Sequence, residues 1–330
     1  MYAEFYGLAA RPFQLTPDAR FFFESSVHRQ AMAYMVYGLH HAEGFIIITG
    51  EVGAGKTILV DALLTTIDSE SFVAAKIVTS QLGGDDLLHM VAAGFGIAKE
   101  GLSKGSLLQR ISDFVLAQHR AGKRALLIVD EAQNLSFEAL EELRMLSNIV
   151  VDKTMALQSF LLGQPQFRTI LGSAGLEQLR QRVTAAYHLG PLNETETRAY
   201  VEHRLRRAEW KGDPHFTEAS FPLIYQHTEG VPRRINTLCS RLLLYGFLEQ
   251  LHTLTASAVD KVANDLREEI AGVTETKPTA SGDAGKVIAG NGLSMVVERL
   301  GNLEKSVDKH ERLIRRAIEI AAHYFQGERS

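Results

Sequence analysis

Residues 45–57, FIIITGEVGAGKT, constrain the fold more than any other stretch. Gly50, Gly55, Lys56 and Thr57 fill the pattern G-x-x-x-x-G-K-T. The β-branched run ahead of it reads as a buried strand, and ILVDALLTTI behind it reads as a helix. In that setting glycines let successive backbone N–H groups converge into an anion nest. The following helix adds the positive end of its dipole. Lys56 would oppose the β- and γ-phosphate charge, and Thr57 would offer its hydroxyl to Mg²⁺. The expected phosphate cradle is Gly50, Glu51, Val52, Gly53, Ala54, Gly55, Lys56, Thr57 and Ile58.

A phosphate cradle alone does not hydrolyse anything. ALLIVDEAQ, residues 125–133, supplies the complement: an apolar strand ending in Asp130 and Glu131. At the C-terminal end of a parallel strand, such carboxylates face phosphates bound beside a neighbouring strand. Asp130 is expected to hold Mg²⁺ with Thr57, and Glu131 to polarise the attacking water. No NKxD-type guanine reader is present, so ATP is favoured over GTP.

Around these motifs the chain alternates strands and amphipathic helices. Strands are expected near 45–49, 72–78, 124–130, 156–162 and 184–189, the pattern of a mainly parallel α/β sheet with helices on both faces. After about residue 191 strands are expected to stop, with helices near 193–210, 216–228, 231–249 and 255–269. The expected organisation is a nucleotide-binding α/β domain over 1–190 with an aromatic N-terminal segment, and a helical lid over 191–270. A Gly-, Ala-, Ser- and Thr-rich linker over 271–293 and a helical tail over 294–330 follow. In the tail, Val296, Leu300, Leu303, Val307, His310 and Ile314 keep a seven-residue rhythm, that of a short coiled coil or an amphipathic helix.

Composition narrows the class. The chain has 330 residues, 45% hydrophobic, with net charge -4. That charge gives no general attraction to nucleic acid or acidic membranes. The single cysteine, Cys239, excludes a disulfide framework and fits a reducing cytosol. No apolar run approaches the ~18 residues of a membrane span.

Three weaker signals complete the reading. The strand SFLLGQ ends in Gln164, placed to sense the γ-phosphate or position water. LEQLRQRV carries Arg180 and Arg182 just before the last strand, where an arginine would reach a neighbouring subunit's nucleotide. EGVPRRIN starts a lid helix with Arg233 and Arg234, one of which would report nucleotide to the lid. In this order, GEVGAGKT, LLIVDE, Gln164, LRQR and GVPRRIN resemble the AAA+ ATPases. FYGLAARPFQLTPDARFFF and HRQAMAYMVYGL look more particularly like the general secretion pathway A (ExeA-like) ATPases, closest to the subgroup linked to exosortase (PEP-CTERM) and exopolysaccharide loci.

The resemblance spans about residues 1–270. It implies an ASCE-type P-loop NTPase fold with a helical lid, ATP and Mg²⁺ as ligand and cofactor, and ring-like homo-oligomers. Carried over, Gln164 matches sensor 1, Arg182 the arginine finger and Arg233 sensor 2. Ile58 departs from the family, where a second Thr is common. The membrane helix and peptidoglycan-binding domain often found in such ATPases are also missing, so no cell-wall role is expected.

The favoured function is ATP hydrolysis coupled to remodelling or assembly of a cell-envelope export system. The expected location is cytoplasmic or peripheral at the inner membrane, with partners from the same locus captured by the C-terminal helix. The alternative is a DNA-associated ATPase of the transposition (MuB- or TniB-like) type, for which Arg204, Arg206, Arg207 and Lys211 in HRLRRAEWK are the best support. A scaffold that binds ATP without turning it over is the third reading, and Glu131 speaks against it.

Overall fold

The computed structural model describes residues 1–274, apart from residues 17, 42–43, 69, 80–82, 99–100 and 152–153. The expected linker and tail lie outside the described residues, except that 271–274 continue the last helix.

Five parallel strands form the central sheet: β1 (Phe45–Gly50), β2 (Phe72–Val78), β3 (Arg124–Asp130), β4 (Leu157–Gly163) and β5 (Val183–Leu189). Their spatial order is β2-β3-β4-β1-β5. The α/β sheet flanked by helices is the fold expected from the alternation. β1 and β4 are buried along their whole length; β1 accordingly opens on the unbroken apolar run Phe45–Ile48, while β4 carries Gln158 and Ser159 into the interior.

The side chains of these strands alternate between two cores. Phe45, Ile47, Leu127, Val129 and Leu161 face α3 (Gly84–Gly94), α4 (Lys104–Arg120) and α5 (Phe137–Leu146). Ile46, Ile48, Leu126, Ile128, Phe160 and Leu162 face α1 (Ser26–His41) and α2 (Lys56–Thr66). The period of two along each strand thus builds one layer on each face. A Cβ on Gly38 would stand 2.3 Å from Ile46 Cδ1, so only glycine lets α1 lie this close to β1.

All five strands run the same way, so Gly50, Asp130 and Gly163 end on one edge of the sheet. β4 sits between β3 and β1, with Val129 opposite Leu161 and Thr49 opposite Gly163. This order sets the residues after β3 and β4 beside the loop after β1.

The second half of the molecule is α6 (Glu194–Arg207), α7 (Ser220–Thr228), α8 (Pro232–Leu248) and α9 (Ala256–Thr274). Two expectations are corrected here. Strands do not stop at 191: His215–Phe216 pair in parallel with Thr253–Leu254, a ladder too short to leave a periodic signal. A two-stranded hairpin, Val150–Val151 with Thr154–Met155, also precedes β4. α6 ends at Arg207 and α7 starts at Ser220, so both helices are shorter than their apolar spacing suggested.

The aromatic N-terminal segment touches both halves. Phe5 packs edge-on against Phe247 of α8 at 5.4 Å, and the Tyr6 hydroxyl donates to the Leu251 carbonyl at 3.0 Å. Further on, the Ser26 N–H at the start of α1 donates to Glu196 of α6 at 2.7 Å. Glu196 also closes the capping box of α6 with Asn193, so one carboxylate joins α1 and α6.

Candidate functional site

Gly50 ends β1 and Lys56 opens α2. Between them Gly53 and Gly55 adopt φ of 83° and 101°, a region closed to most L-residues. Space demands glycine as well. A Cβ on Gly53 would stand 2.1 Å from Arg233 Cβ, and one on Gly55 2.6 Å from His28 Nε2. The loop is therefore held between the lid and α1. The lid also reaches it through the backbone, with the Arg233 N–H donating to the Gly53 carbonyl at 3.2 Å.

Lys56 is 5% exposed. Its Nζ donates to the Gly50 carbonyl at 2.7 Å and the Glu51 carbonyl at 3.0 Å. Burial pulls its pKa below the ordinary lysine value, while Glu131, Asp130 and Glu51 oppose that pull. A buried cation beside a glycine-rich loop is suited to an incoming polyanion, whose charge would offset the cost of its burial.

Asp130 is 3% exposed and accepts from the Thr57 hydroxyl at 2.7 Å. These hard oxygen donors, from the loop and from β3, fit Mg²⁺, which takes one or two carboxylates plus phosphate and water. Glu131 follows with φ 57°, an uncommon conformation for a residue with a Cβ. Thr79 stabilises that bend: its hydroxyl lies 2.9 Å from the Asp130 carbonyl and 2.7 Å from the Glu131 carbonyl. The Glu131 carboxylate accepts from Gln133 Nε2 at 2.6 Å and Gln164 Nε2 at 3.1 Å. Partial burial works against its charge, but these two hydrogen bonds and Lys56 outweigh it and hold its pKa below the usual range.

A cavity of about 330 Å³ opens beside the loop. Val52, Gly53, Gly55, Lys56, Thr57 and Ile58 line it together with Glu131 and Arg233. The aromatic segment, through Gln14 and Phe21 to Phe23, forms another wall, and Tyr200 and Asn236 come from the lid. Beneath it His28 is 4% exposed. The His28 Nδ1 lies 2.6 Å from Ser25 Oγ. Burial pushes the His28 pKa down to about 4, against a hydrogen bond to the Ala54 backbone and the charge of Glu196.

The structure thus brings together the loop from Gly50 to Ile58, Asp130, Glu131, Gln164 and Arg233. Arg182 is elsewhere. Its carbonyl accepts from the Phe45 N–H at 2.7 Å, which puts it at the start of β1. The phosphate loop follows the end of that strand, roughly 20 Å away at ~3.3 Å per residue. Its guanidinium bonds Ser147 at 2.7 Å and Asn148. Arg180 donates to the Leu171 and Ser173 carbonyls at 2.6 and 2.9 Å. Arg234 pairs with Glu229 rather than lining the Lys56 cavity.

The basic cluster is corrected. Arg204 is 6% exposed, bonds the Pro12 carbonyl and the Tyr200 hydroxyl, and lies 5.0 Å from the Phe21 ring. It anchors the aromatic segment and is not a surface cation. Arg206 pairs with Glu202, and Lys211 lies beyond the helix end.

Sequence reasoning missed Thr79, Gln133 and His28. Gln133 stands in the quoted DEAQ, but the turn that folds it back onto Glu131 leaves no periodic trace.

Fold and site are those of a P-loop nucleotide-binding domain. The family model described as "AAA domain" matches residues 39–171. The chain is 36% identical over 283 residues to general secretion pathway protein A of Aeromonas hydrophila, covering 86% of this chain and 51% of that protein. It is 30% identical over 145 residues to the Mu-like prophage FluMu DNA transposition protein B of Haemophilus influenzae, covering 44% of this chain and 47% of that protein. The chain thus spans about half the length of the relatives it matches. Among solved structures, the Aeropyrum pernix ORC2 protein in its ADPNP–ADP complexes has a TM-score of 0.59 at 15% identity, covering 78% of this chain and 71% of that one. Among the described residues no helix is long and apolar enough to cross a membrane.

Proposed function

We propose that the chain binds and hydrolyses Mg²⁺-ATP, and that hydrolysis drives remodelling or assembly of a cell-envelope export system. The observation that carries the hydrolysis is that Lys56, Thr57 and Glu131 line one cavity, with Asp130 hydrogen-bonded to Thr57 beside it. Backbone N–H groups of the Gly50–Thr57 loop hold the phosphates, and Lys56 supplies the charge opposite them. Thr57 and Asp130 would hold Mg²⁺, which would supply positive charge against the charge developing in phosphoryl transfer. Glu131 orients the attacking water and draws off its proton. Gln164, already on Glu131, helps to place water or reads the γ-phosphate. Arg233, whose backbone meets Gly53, links nucleotide to the lid.

Arg182 acts on a neighbouring subunit, because its own site lies at the far end of β1. This reading requires a homo-oligomer, for which a ring is the natural form. Similarity to general secretion pathway protein A over most of this chain supports the export role. The sequence resemblance supports, more finely, an exopolysaccharide or PEP-CTERM sorting locus.

A transposition-type role is the second reading. Similarity to the prophage transposition protein favours it, and the burial of Arg204 weakens the basic surface it was expected to use.

The test is ATP turnover by the purified chain alone, with duplex DNA, and with inner-membrane vesicles from cells carrying the export locus. Stimulation by vesicles and indifference to DNA supports export. Salt-sensitive stimulation by DNA alone overturns it in favour of transposition.

A further inference from the structure

The carboxylate of Glu131 is held by two amides on one oxygen. Gln133 Nε2 and Gln164 Nε2 both donate to Oε2, at 2.6 and 3.1 Å. The two glutamines are not equivalent. Gln133 also accepts the Gln164 backbone N–H on its Oε1 at 2.9 Å. A backbone N–H requires an oxygen partner, so the Gln133 amide has one allowed orientation, with its NH₂ turned to Glu131. Gln133 is thereby fixed at both ends, to β4's exit and to the Glu131 carboxylate.

Gln164 lacks that constraint. Its side-chain amide makes the longer bond to Glu131 and lies on the residue proposed to read the γ-phosphate. An amide with two tasks cannot hold Glu131 through the whole cycle. Gln133, seated in the turn Ala132–Asn134 directly after Glu131, is held to Gln164's backbone, which stays put whatever Gln164's side chain does.

We propose that Gln133 is the positioning residue for Glu131: its amide fixes one carboxylate oxygen, so that the other is presented to the attacking water. The inference rests on the reading of Glu131 as the water-orienting base. Gln133 itself touches no substrate. Its effect is geometric, and misplacing a reacting group by about 1 Å can cost about 100-fold in rate.

Two substitutions separate the donor from the acceptor. Gln133→Glu keeps an oxygen for the Gln164 N–H but offers Glu131 a carboxylate in place of a donor. Gln133→Met keeps length and removes both functions. Gln133 is part-exposed, so neither change empties a core. The measurements are kcat and KM for Mg²⁺-ATP, ATP affinity and melting temperature of the full chain, with Glu131→Gln beside them. Expected is a kcat about 10- to 100-fold lower in both variants, with KM and ATP affinity within about threefold of wild type.

Wild-type kcat in Gln133→Glu overturns the proposal, because it means that only the acceptor for Gln164 matters. Loss of kcat in step with melting temperature and ATP affinity in both variants also overturns it, leaving a merely structural role. Full turnover by Glu131→Gln instead removes the underlying reading of Glu131, whatever the Gln133 variants do.

Discussion

Lowering the pH should destabilise the folded chain through His28, and the size of the effect follows from its burial. His28 is 4% exposed, faces Ser25, Phe22 and Glu196, and contacts the loop at Gly55. Its pKa falls from 6.5 to about 4. As pH drops through 6.5 the unfolded chain takes up a proton that the folded chain refuses. Stability is therefore lost between pH 6.5 and 4, and the loss is complete below 4, where His28 is charged in both states. Above 6.5 it is neutral in both, and His28 adds no pH dependence. The separation corresponds to about 3 kcal/mol. The assay is urea unfolding of wild type and His28→Gln at intervals from pH 7 to 4, since glutamine keeps a donor and an acceptor but does not titrate. The stability difference between the two proteins should shift by about 3 kcal/mol against wild type over that range. Parallel stability curves would mean that His28 takes up its proton equally in the folded and unfolded chain.

Other perturbations probe the lid, the neighbour and the tail. Gly53→Ala combines a φ of 83° with a Cβ 2.1 Å from Arg233; ATP affinity by titration should fall at least about tenfold, the equivalent of about 1.4 kcal/mol, and unchanged affinity would mean that lid and loop separate freely. Arg182→Ala should bind ATP yet lose roughly 1,000-fold or more in turnover, and mixing it with Lys56→Ala should restore some activity; no recovery in mixtures shown to co-assemble would exclude action in trans. Deleting residues 275–330 should leave ATP affinity within about twofold, because all the proposed ligand contacts precede it, while sedimentation and partner capture change; lower affinity with unchanged assembly would place the tail in the nucleotide-binding unit instead.

The sheet was legible because its strands carry the strongest signal a sequence has. Phe45 to Ile48 and Leu126 to Val129 are apolar runs buried on both faces, and each is punctuated by a motif. The Lys56, Thr57, Asp130 and Glu131 positions were legible for the same reason: they stand where strands end. Residues whose importance comes from a fold-back were not. Gln133 returns to Glu131 through a three-residue turn, and Thr79 reaches the Glu131 carbonyl across two strands. Neither relation has a sequence period. The burial of Arg204 was hidden because a helix reading of HRLRRAEWK assigns faces but cannot see the aromatic segment that covers one of them. The ladder of residues 215–216 with 253–254 is two residues long on each side, too short to show an alternating pattern.

If Glu131 converts a phosphate cradle into an ATPase, Glu131→Gln should separate binding from turnover. The glutamine keeps the size of the side chain and leaves Lys56, Thr57 and Asp130 untouched. ATP affinity and turnover should be measured on the same preparation, with Mg²⁺ present. Affinity should stay within about threefold of wild type while turnover falls by about 100-fold or more. Wild-type turnover in this variant would contradict that role for Glu131.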